Sequence, residues 1–320
     1  MKIIAMEEAF SVPGMATKGA ALDQPSPFRP SVLAAWERKL PDFTQYRLAE
    51  MDEHGVDVQV LSLTSPGVQM EPDPATAIAD AQLANDVLAA AIADNPTRFA
   101  GLAALPLQDP AAAVRELDRA ITALGLSGVL INGHTLDTYL DQPQYRVVWE
   151  ALTGHDVPLY LHPNSAPLGW SVFDGRPELI GPTYAWAAET GAHALRLIFS
   201  GLFDHFPTAK VILGHMGELL PFHMSRLDIR YHDLDPEVTL AKRPSQYLID
   251  NFAITTSGVL SPSALLGATL AIGIDNILFA VDYPYESTAD AVHFLTTLPL
   301  NPPDLHKIAH TNAERLLHLA

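Results

Sequence analysis

The stretch Lys210-Val211-Ile212-Leu213-Gly214-His215-Met216-Gly217-Glu218 decides how the chain reads. A short apolar run of strand length stops at a glycine, and a histidine and a glutamate follow at once. Upstream, Ala187–Phe206 spaces its apolar residues as a helix does. Runs like Lys210–Leu213 recur at Lys2–Glu7, Val56–Leu63, Phe99–Leu105, Gly128–Ile131, Val157–Leu161, Phe252–Thr255 and Ile277–Val281. Helical patterns lie between them, at Ala75–Asn95, Pro110–Leu124 and Tyr145–Gly154. Alternating strands and helices specify an α/β fold with a parallel sheet. Eight such strands in 320 residues predict a (β/α)8 TIM barrel, with a doubly wound open sheet as the alternative. No repeat, low-complexity tract or linker interrupts the pattern, so residues 1–320 read as one barrel domain.

Two connections exceed what a barrel needs. Ser11–Asp42 follows strand 1 with Pro13, Pro25, Pro27, Pro30 and Pro41, and Pro163–Pro182 follows strand 5 with Pro167 and Pro177 inside it. Both belong to the face where barrel enzymes keep their active sites. They bring Phe28, Trp170, Phe173 and, just beyond, Tyr184 to that face, which suits an aromatic or apolar small molecule.

Composition narrows the chemistry. With 19 Lys+Arg against 37 Asp+Glu the net charge is −18, and no basic run exceeds Lys242-Arg243, so nucleic acid and anionic membrane surfaces are excluded as partners. The absence of cysteine removes disulfides, thiolate metal sites and a catalytic thiol, leaving any metal to histidine and carboxylates. Met1–Glu8 becomes charged after four apolar residues, unlike a signal peptide, which makes the cytoplasm the expected location. Ala253–Ile274 is uncharged, but Thr255, Thr256, Ser257, Gly258, Ser261, Pro262 and Ser263 interrupt it. It reads as a strand, a turn and a buried helix start rather than a membrane span.

The polar residues fall at strand ends. Glu7 and Glu8 end strand 1, Leu161-His162-Pro163 ends strand 5, His215 and Glu218 follow strand 6, and Val281-Asp282-Tyr283-Pro284 ends strand 8. Carboxyl ends of barrel strands converge, so a glutamate, two histidines and an aspartate meet there as a divalent-metal set of oxygen and imidazole donors. Along a strand Glu7 shares a face with Ala5 and Ala9, and Glu8 with Ile4 and Met6. Small residues suit the crowded interior, which selects Glu7 as the ligand. Asn132 closes strand 4 at the same level, and His193 is a weaker candidate.

Met6-Glu7-Glu8-Ala9-Phe10, Tyr160-Leu161-His162-Pro163, Ile212–Glu218 and Ala280–Pro284 resemble the metal-dependent decarboxylase branch of the amidohydrolase superfamily. The aminocarboxymuconate semialdehyde decarboxylase-like resemblance extends through Val60–Gln69, Arg98–Pro106 and Ile254–Gly258, nearly the whole chain. It is nearest the 2,3-dihydroxybenzoate and γ-resorcylate types. Glu-Glu-Ala-Phe is the strand-1 pattern of the first; the second and other relatives carry a histidine where this chain has Ala9.

The resemblance implies one divalent ion (manganese, magnesium or zinc) on Glu7, His162 and Asp282, no organic cofactor, and a small aromatic carboxylate as substrate. It implies non-oxidative, reversible decarboxylation of an ortho-hydroxylated benzoate and a homo-oligomer, dimer or tetramer. Asp282 would be both ligand and acid, with His215 beside it and Glu218 orienting the imidazole. Arg226, eleven residues after His215, would contact the substrate carboxylate, with Phe10 and Asn132 also lining the substrate. The spacing of His215 and Glu218 puts both on one face if a helical turn starts there. The rival activity is a mononuclear metal-dependent hydrolase of an ester, lactone or amide. A binuclear version needs a lysine closing a strand, and none does. A non-catalytic scaffold binding a small aromatic or a protein is the third reading, supported by Ala9 alone.

Overall fold

A computed structural model describes residues 1–15, 28–164 and 170–319. Parts of both long connections, with Pro25, Pro27 and Pro167, therefore lie outside the described residues. The eight strands are β1 (Ile4–Phe10), β2 (Val58–Leu63), β3 (Phe99–Gly101), β4 (Val129–Asn132), β5 (Leu159–His162), β6 (Val211–Leu213), β7 (Phe252–Thr255) and β8 (Ile277–Leu278). They form two parallel ladders, β1-β2-β3 and β4-β5-β6-β7-β8. Isolated bonds span the seams. Ala103 N–H donates to Gly128 O (2.8 Å) and Leu130 N–H to Ala103 O (2.9 Å) between β3 and β4, while Met6 N–H donates to Phe279 O (3.1 Å) between β1 and the end of β8. The fold is an α/β barrel.

Alternation divides the apolar residues into two layers. Leu130, Tyr160, Ile212 and Ala253 pair in register across β4 to β7 and join Ile4, Met6, Val60 and Leu102 in an inner core. Their neighbours Ile131, Leu161, Leu213 and Ile254 face outward into the larger core beneath the helices. Two residues on from each inner residue stands the site layer of Asn132, His162, Gly214 and Thr255.

Helix starts follow local chemistry. Asp73 and Asp109 cap α3 (Pro74–Asp94) and α4 (Pro110–Thr122) by accepting the Thr76 and Ala112 amides, with proline in the first turn of each. α1 (Pro30–Lys39), α2 (Arg47–His54) and α5 (Arg146–His155) complete the first half. The helix expected over Ala187–Phe206 is two, α6 (Ala185–Phe199) and α7 (Leu202–His205), because Gly201 takes φ +73° between them. Ala253–Ile274 is β7, a turn and the helix Pro262–Ile272, and among the described residues no helix is long and apolar enough to cross a membrane.

Where the β3 chain leaves its ladder, Asn85 of α3 substitutes for a strand. Its Oδ1 accepts the Ala104 amide (2.8 Å), and its Nδ2 donates to Ala104 O (3.0 Å) and Glu116 Oε1 (2.6 Å). Asn85→Ala strands both polar groups of the buried Ala104 backbone and leaves Glu116 with Arg119 as its remaining partner. Equilibrium urea unfolding should show a loss of about 2–4 kcal/mol, with the slope unchanged.

Candidate metal centre

Glu7 reaches the barrel interior through an irregularity in β1. Ala5 pairs with Gln59 and Glu8 with Leu61, so Met6 and Glu7 stand together opposite Val60. This bulge puts two successive side chains inside. Glu7 faces the interior, but not by the expected parity: Ile4 and Met6 face inward, and Ala5 packs in the outer core. Gly214 makes the room, since a Cβ there would stand 2.8 Å from Glu7 Oε1 and 3.2 Å from Tyr160 Oη.

Glu7, His162 and Asp282 offer ligand atoms that all lie within 4.8 Å of one another. His162 Nδ1 faces two acceptors, Asn132 Oδ1 (2.8 Å) and Pro163 O (2.9 Å), so it carries the proton and Nε2 keeps its lone pair for a metal. Burial holds this imidazole neutral, lowering its pKa to about 4 against the pull of Glu7. Glu7 Oε2 accepts from Thr255 Oγ1 (3.1 Å) and from Ser257 Oγ, whereas Oε1 is buried with no hydrogen-bond partner. Burial would raise the Glu7 pKa, but His215, His162 and Ser257 outweigh it and hold it below the ordinary carboxylate value. An ionised carboxylate with an orphan oxygen beside a free imidazole lone pair fits a divalent cation.

His215 flanks the triad, its Nε2 3.7 Å from Glu7 Oε1 and 3.6 Å from Asp282 Oδ2. Its Nδ1 meets Glu218 Oε1 at 2.7 Å, but not through a right-handed helical turn. His215, Met216, Gly217, Glu218 and Leu219 all have positive φ, from 47° to 78°. Left-handed conformations cost non-glycine residues roughly 1–3 kcal/mol each, so the surrounding packing sustains this turn. Burial pulls the His215 pKa down, but Glu218 and Glu7 prevail and hold it well above the ordinary value.

Other expected residues stand elsewhere. Phe10 faces the outer core and packs on Phe43 (centroids 5.5 Å apart), so it does not line the interior; the bulge turns Ala9 inward in its place. Asn132 does not point at a substrate: it binds His162 through Oδ1 and Leu63 O through Nδ2 (3.3 Å). Arg226 is exposed on the helix Met224–His232, away from the hydrogen bonds and ion pairs given above. His193 is buried on α6, where Nε2 accepts the Leu140 amide (2.9 Å). Phe28, Trp36 and Tyr285 form an aromatic row with centroids 4.8 and 4.9 Å apart, and Trp170 stacks on Phe173 at 5.6 Å. Thr255 and Ser257, which the sequence shows only as polar breaks in Ala253–Ile274, are a hydroxyl pair on Glu7, and Thr255 shares the inward parity of Ala253.

A parallel α/β barrel that gathers two carboxylates and two imidazoles at its strand ends is the scaffold of a metal-dependent enzyme. The chain belongs to the amidohydrolase family, whose profile matches residues 13–319. It is 43% identical over 326 residues to γ-resorcylate decarboxylase of Rhizobium sp. strain MTP-10005, covering 99% of this chain and 98% of that one. A crystal structure of 2,6-dihydroxybenzoate decarboxylase complexed with 2,6-dihydroxybenzoate superposes with TM-score 0.93 at 42% identity, covering 100% of both chains. The dihydroxybenzoic acid decarboxylase of Polaromonas sp. JS666, with bound manganese and 2-nitroresorcinol, gives TM-score 0.93 at 39% identity, covering 99% of this chain and 97% of that one.

The His215–Glu218 pair has a pH signature. A pKa above 6.5 in the folded state means the charged imidazole contributes its full stabilisation below that value and loses it as pH rises through the raised one. In metal-free protein, Glu218→Gln should move the His215 titration, followed by NMR of the ring Cε1–H, to lower pH. An unmoved titration would show that Glu218 does not hold the proton.

Proposed function

We propose that this protein is a divalent-metal-dependent, non-oxidative decarboxylase of a benzoate with a hydroxyl ortho to its carboxylate, 2,3-dihydroxybenzoate being the expected kind. The carrying observation is the Glu7, His162 and Asp282 triad, with ligand atoms within 4.8 Å, beside the His215–Glu218 pair. The named decarboxylases to which the chain is similar favour carbon–carbon cleavage over hydrolysis.

Glu7, His162 and Asp282 would hold the ion. When bound, a divalent cation supplies positive charge that anchors a carboxylate and an ortho oxygen in one pose. The oxygen-rich donor set favours manganese or magnesium over zinc, and manganese is the ion in the Polaromonas structure. The chain's own residues then handle the proton. Without a cation, burial pushes the Asp282 carboxyl up to about 6, with Glu7 adding to the effect against the hydrogen bond from His215; a bound cation would lower it, so Asp282 takes up a proton once a chelating substrate has displaced its carboxylate from the ion. Asp282 delivers a proton to the ring carbon bearing the carboxylate. The bond to the carboxylate breaks, carbon dioxide leaves, and the bonding pair restores the aromatic ring. His215, aligned by Glu218, returns a proton to Asp282. The protonated ring is the electron sink, so the scheme uses no organic cofactor, and high bicarbonate drives it toward carboxylation of the phenol.

A cytoplasmic homo-oligomer completes the reading. Phe222, Leu266 and Leu270, exposed by 58%, 42% and 89%, gather around the helix Pro262–Ile272 and supply an apolar face for a second copy.

The test is carbon dioxide release from a panel of ortho-hydroxybenzoates by chelator-treated protein, with manganese, magnesium or zinc added back. Release should return with metal for at least one substrate. Asp282→Asn should lower turnover by about 10²–10⁴-fold while substrate still binds. Full turnover in that variant, or release that ignores chelation, would overturn the mechanism.

A further inference from the structure

Glu8 stands next to the metal-facing Glu7 yet points the other way, pairs opposite the outward Leu61, and is fully buried. Such a group needs partners, and both of its oxygens have one. Oε1 accepts the Val281 amide (3.0 Å) and Oε2 the Tyr283 amide (3.2 Å). These amides bracket Asp282. The β8 ladder has ended at Leu278, so the side chain of Glu8 does there what a neighbouring strand would do. The next residue adds a third tie, Ala9 N–H to Tyr283 O at 2.7 Å. Glu7-Glu8-Ala9 therefore grips Val281-Asp282-Tyr283 across the seam between the first and last strands.

The grip holds an unfavourable conformation. Asp282 has φ +76°, which costs a non-glycine residue roughly 1–3 kcal/mol unless its neighbours are tied down. Arg47 locks the clamp from behind. Fully buried, it donates through Nη2 to Ala9 O (2.6 Å) and through Nη1 to Gln59 Oε1 (3.0 Å), with its guanidinium carbon 4.3 Å from the centre of the Tyr283 ring. Glu8 and Arg47 tie the segments that carry Glu7 and Asp282 together from the outer layer, away from the interior where substrate would sit.

We infer that Glu8 is a positioning residue that sets the Asp282 carboxylate against Glu7 for metal binding and proton delivery, with Arg47 holding the clamp closed. The inference rests on the proposed role of Asp282 and deepens it. Peptide 281–283, released from Glu8, would rotate toward ordinary φ and swing the carboxylate away. Two metal donors on opposite sides of the seam would then no longer share one point.

Manganese affinity tests this apart from catalysis. Metal-free wild type, Glu8→Gln and Asp282→Asn are titrated with Mn²⁺ and free ion is read by electron paramagnetic resonance, alongside thermal unfolding and steady-state decarboxylation. Glu8→Gln presents an NH2 group to one of the two amides. Its Mn²⁺ Kd should rise about 10–100-fold at temperatures where it is fully folded, the range seen when supports of metal ligands are removed. At saturating Mn²⁺ its kcat should stay depressed while KM changes little, because the proton donor is misaimed. An unchanged Kd and kcat in folded Glu8→Gln, with only a lower melting temperature, would reduce Glu8 to a structural residue and overturn the inference. Wild type that binds no Mn²⁺ would instead sink the proposed function. Should Glu8→Gln fail to fold, Arg47→Lys, which loses the fork between Ala9 and Gln59, decides: a several-fold weaker Mn²⁺ affinity supports the clamp, and unchanged affinity and turnover refute it.

Discussion

One irregularity in the first strand governs the site. A regular strand would present Glu7 and Glu8 to opposite layers with Met6 and Glu7 also opposed; the bulge against Val60 lets Met6 and Glu7 both face inward. Met6 fills the inner core, Glu7 rises above it toward the mouth, and Glu8 is thrown to the outer layer where the last strand needs amide acceptors. A barrel has a seam where its first and last strands meet, and here side-chain and single backbone bonds do most of the stitching. The site inherits that seam: two of its carboxylates belong to the strands on either side of it.

Packing several buried acids into one cavity of a protein with net charge −18 is electrostatically unfavourable unless each is answered. The answers differ by residue. Glu7 has two hydroxyls and two imidazoles around it, Glu218 has His215, and Asp282 is pushed toward its neutral form. Left over are Oε1 of Glu7, Oε2 of Glu218 and one imidazole lone pair on His162, and of these the Glu7 oxygen and the lone pair are donors that a cation would take. The left-handed turn from His215 to Leu219 belongs to the same account: it leaves His215 Nδ1 2.7 Å from Glu218 Oε1 at the strand end.

Much of this was legible in the sequence. The eight apolar runs match the observed strands to within a few residues, because burial on both faces leaves a continuous apolar signal that solvent-facing residues do not interrupt. Strand-end polar residues were legible for the same reason: they break an apolar run just before a turn. What was not legible is where alternation fails. The parity that turns Glu7 and Ala9 inward puts Phe10 outward, where it is found, so alternation gave no support to Phe10 as a substrate contact, and the bulge has no residue signature in Met6-Glu7-Glu8. Asn132 was located at the right level and given the wrong partner, since position along a strand does not say which neighbour a side chain will reach. Gly201 divided a helix whose apolar spacing continues across it, because φ +73° suits glycine whatever the pattern around it.

Ala9 shows why a missing ligand need not mean a missing function. The bulge turns it inward beside Glu7, pairing across from Ser62, at the position where the resemblance leads one to expect a histidine. Its backbone is fully employed: the amide binds Tyr283 O and the carbonyl binds Arg47. The clamp on Asp282 therefore asks nothing of the residue-9 side chain, and a methyl group there leaves the clamp intact. With the three protein donors proposed, more of an ion's coordination sphere would be open to the two oxygens of an ortho-hydroxybenzoate. The left-handed turn and the positive φ of Asp282 are strained conformations, and each is held by the hydrogen bonds and packing around it, which the methyl group of Ala9 leaves undisturbed.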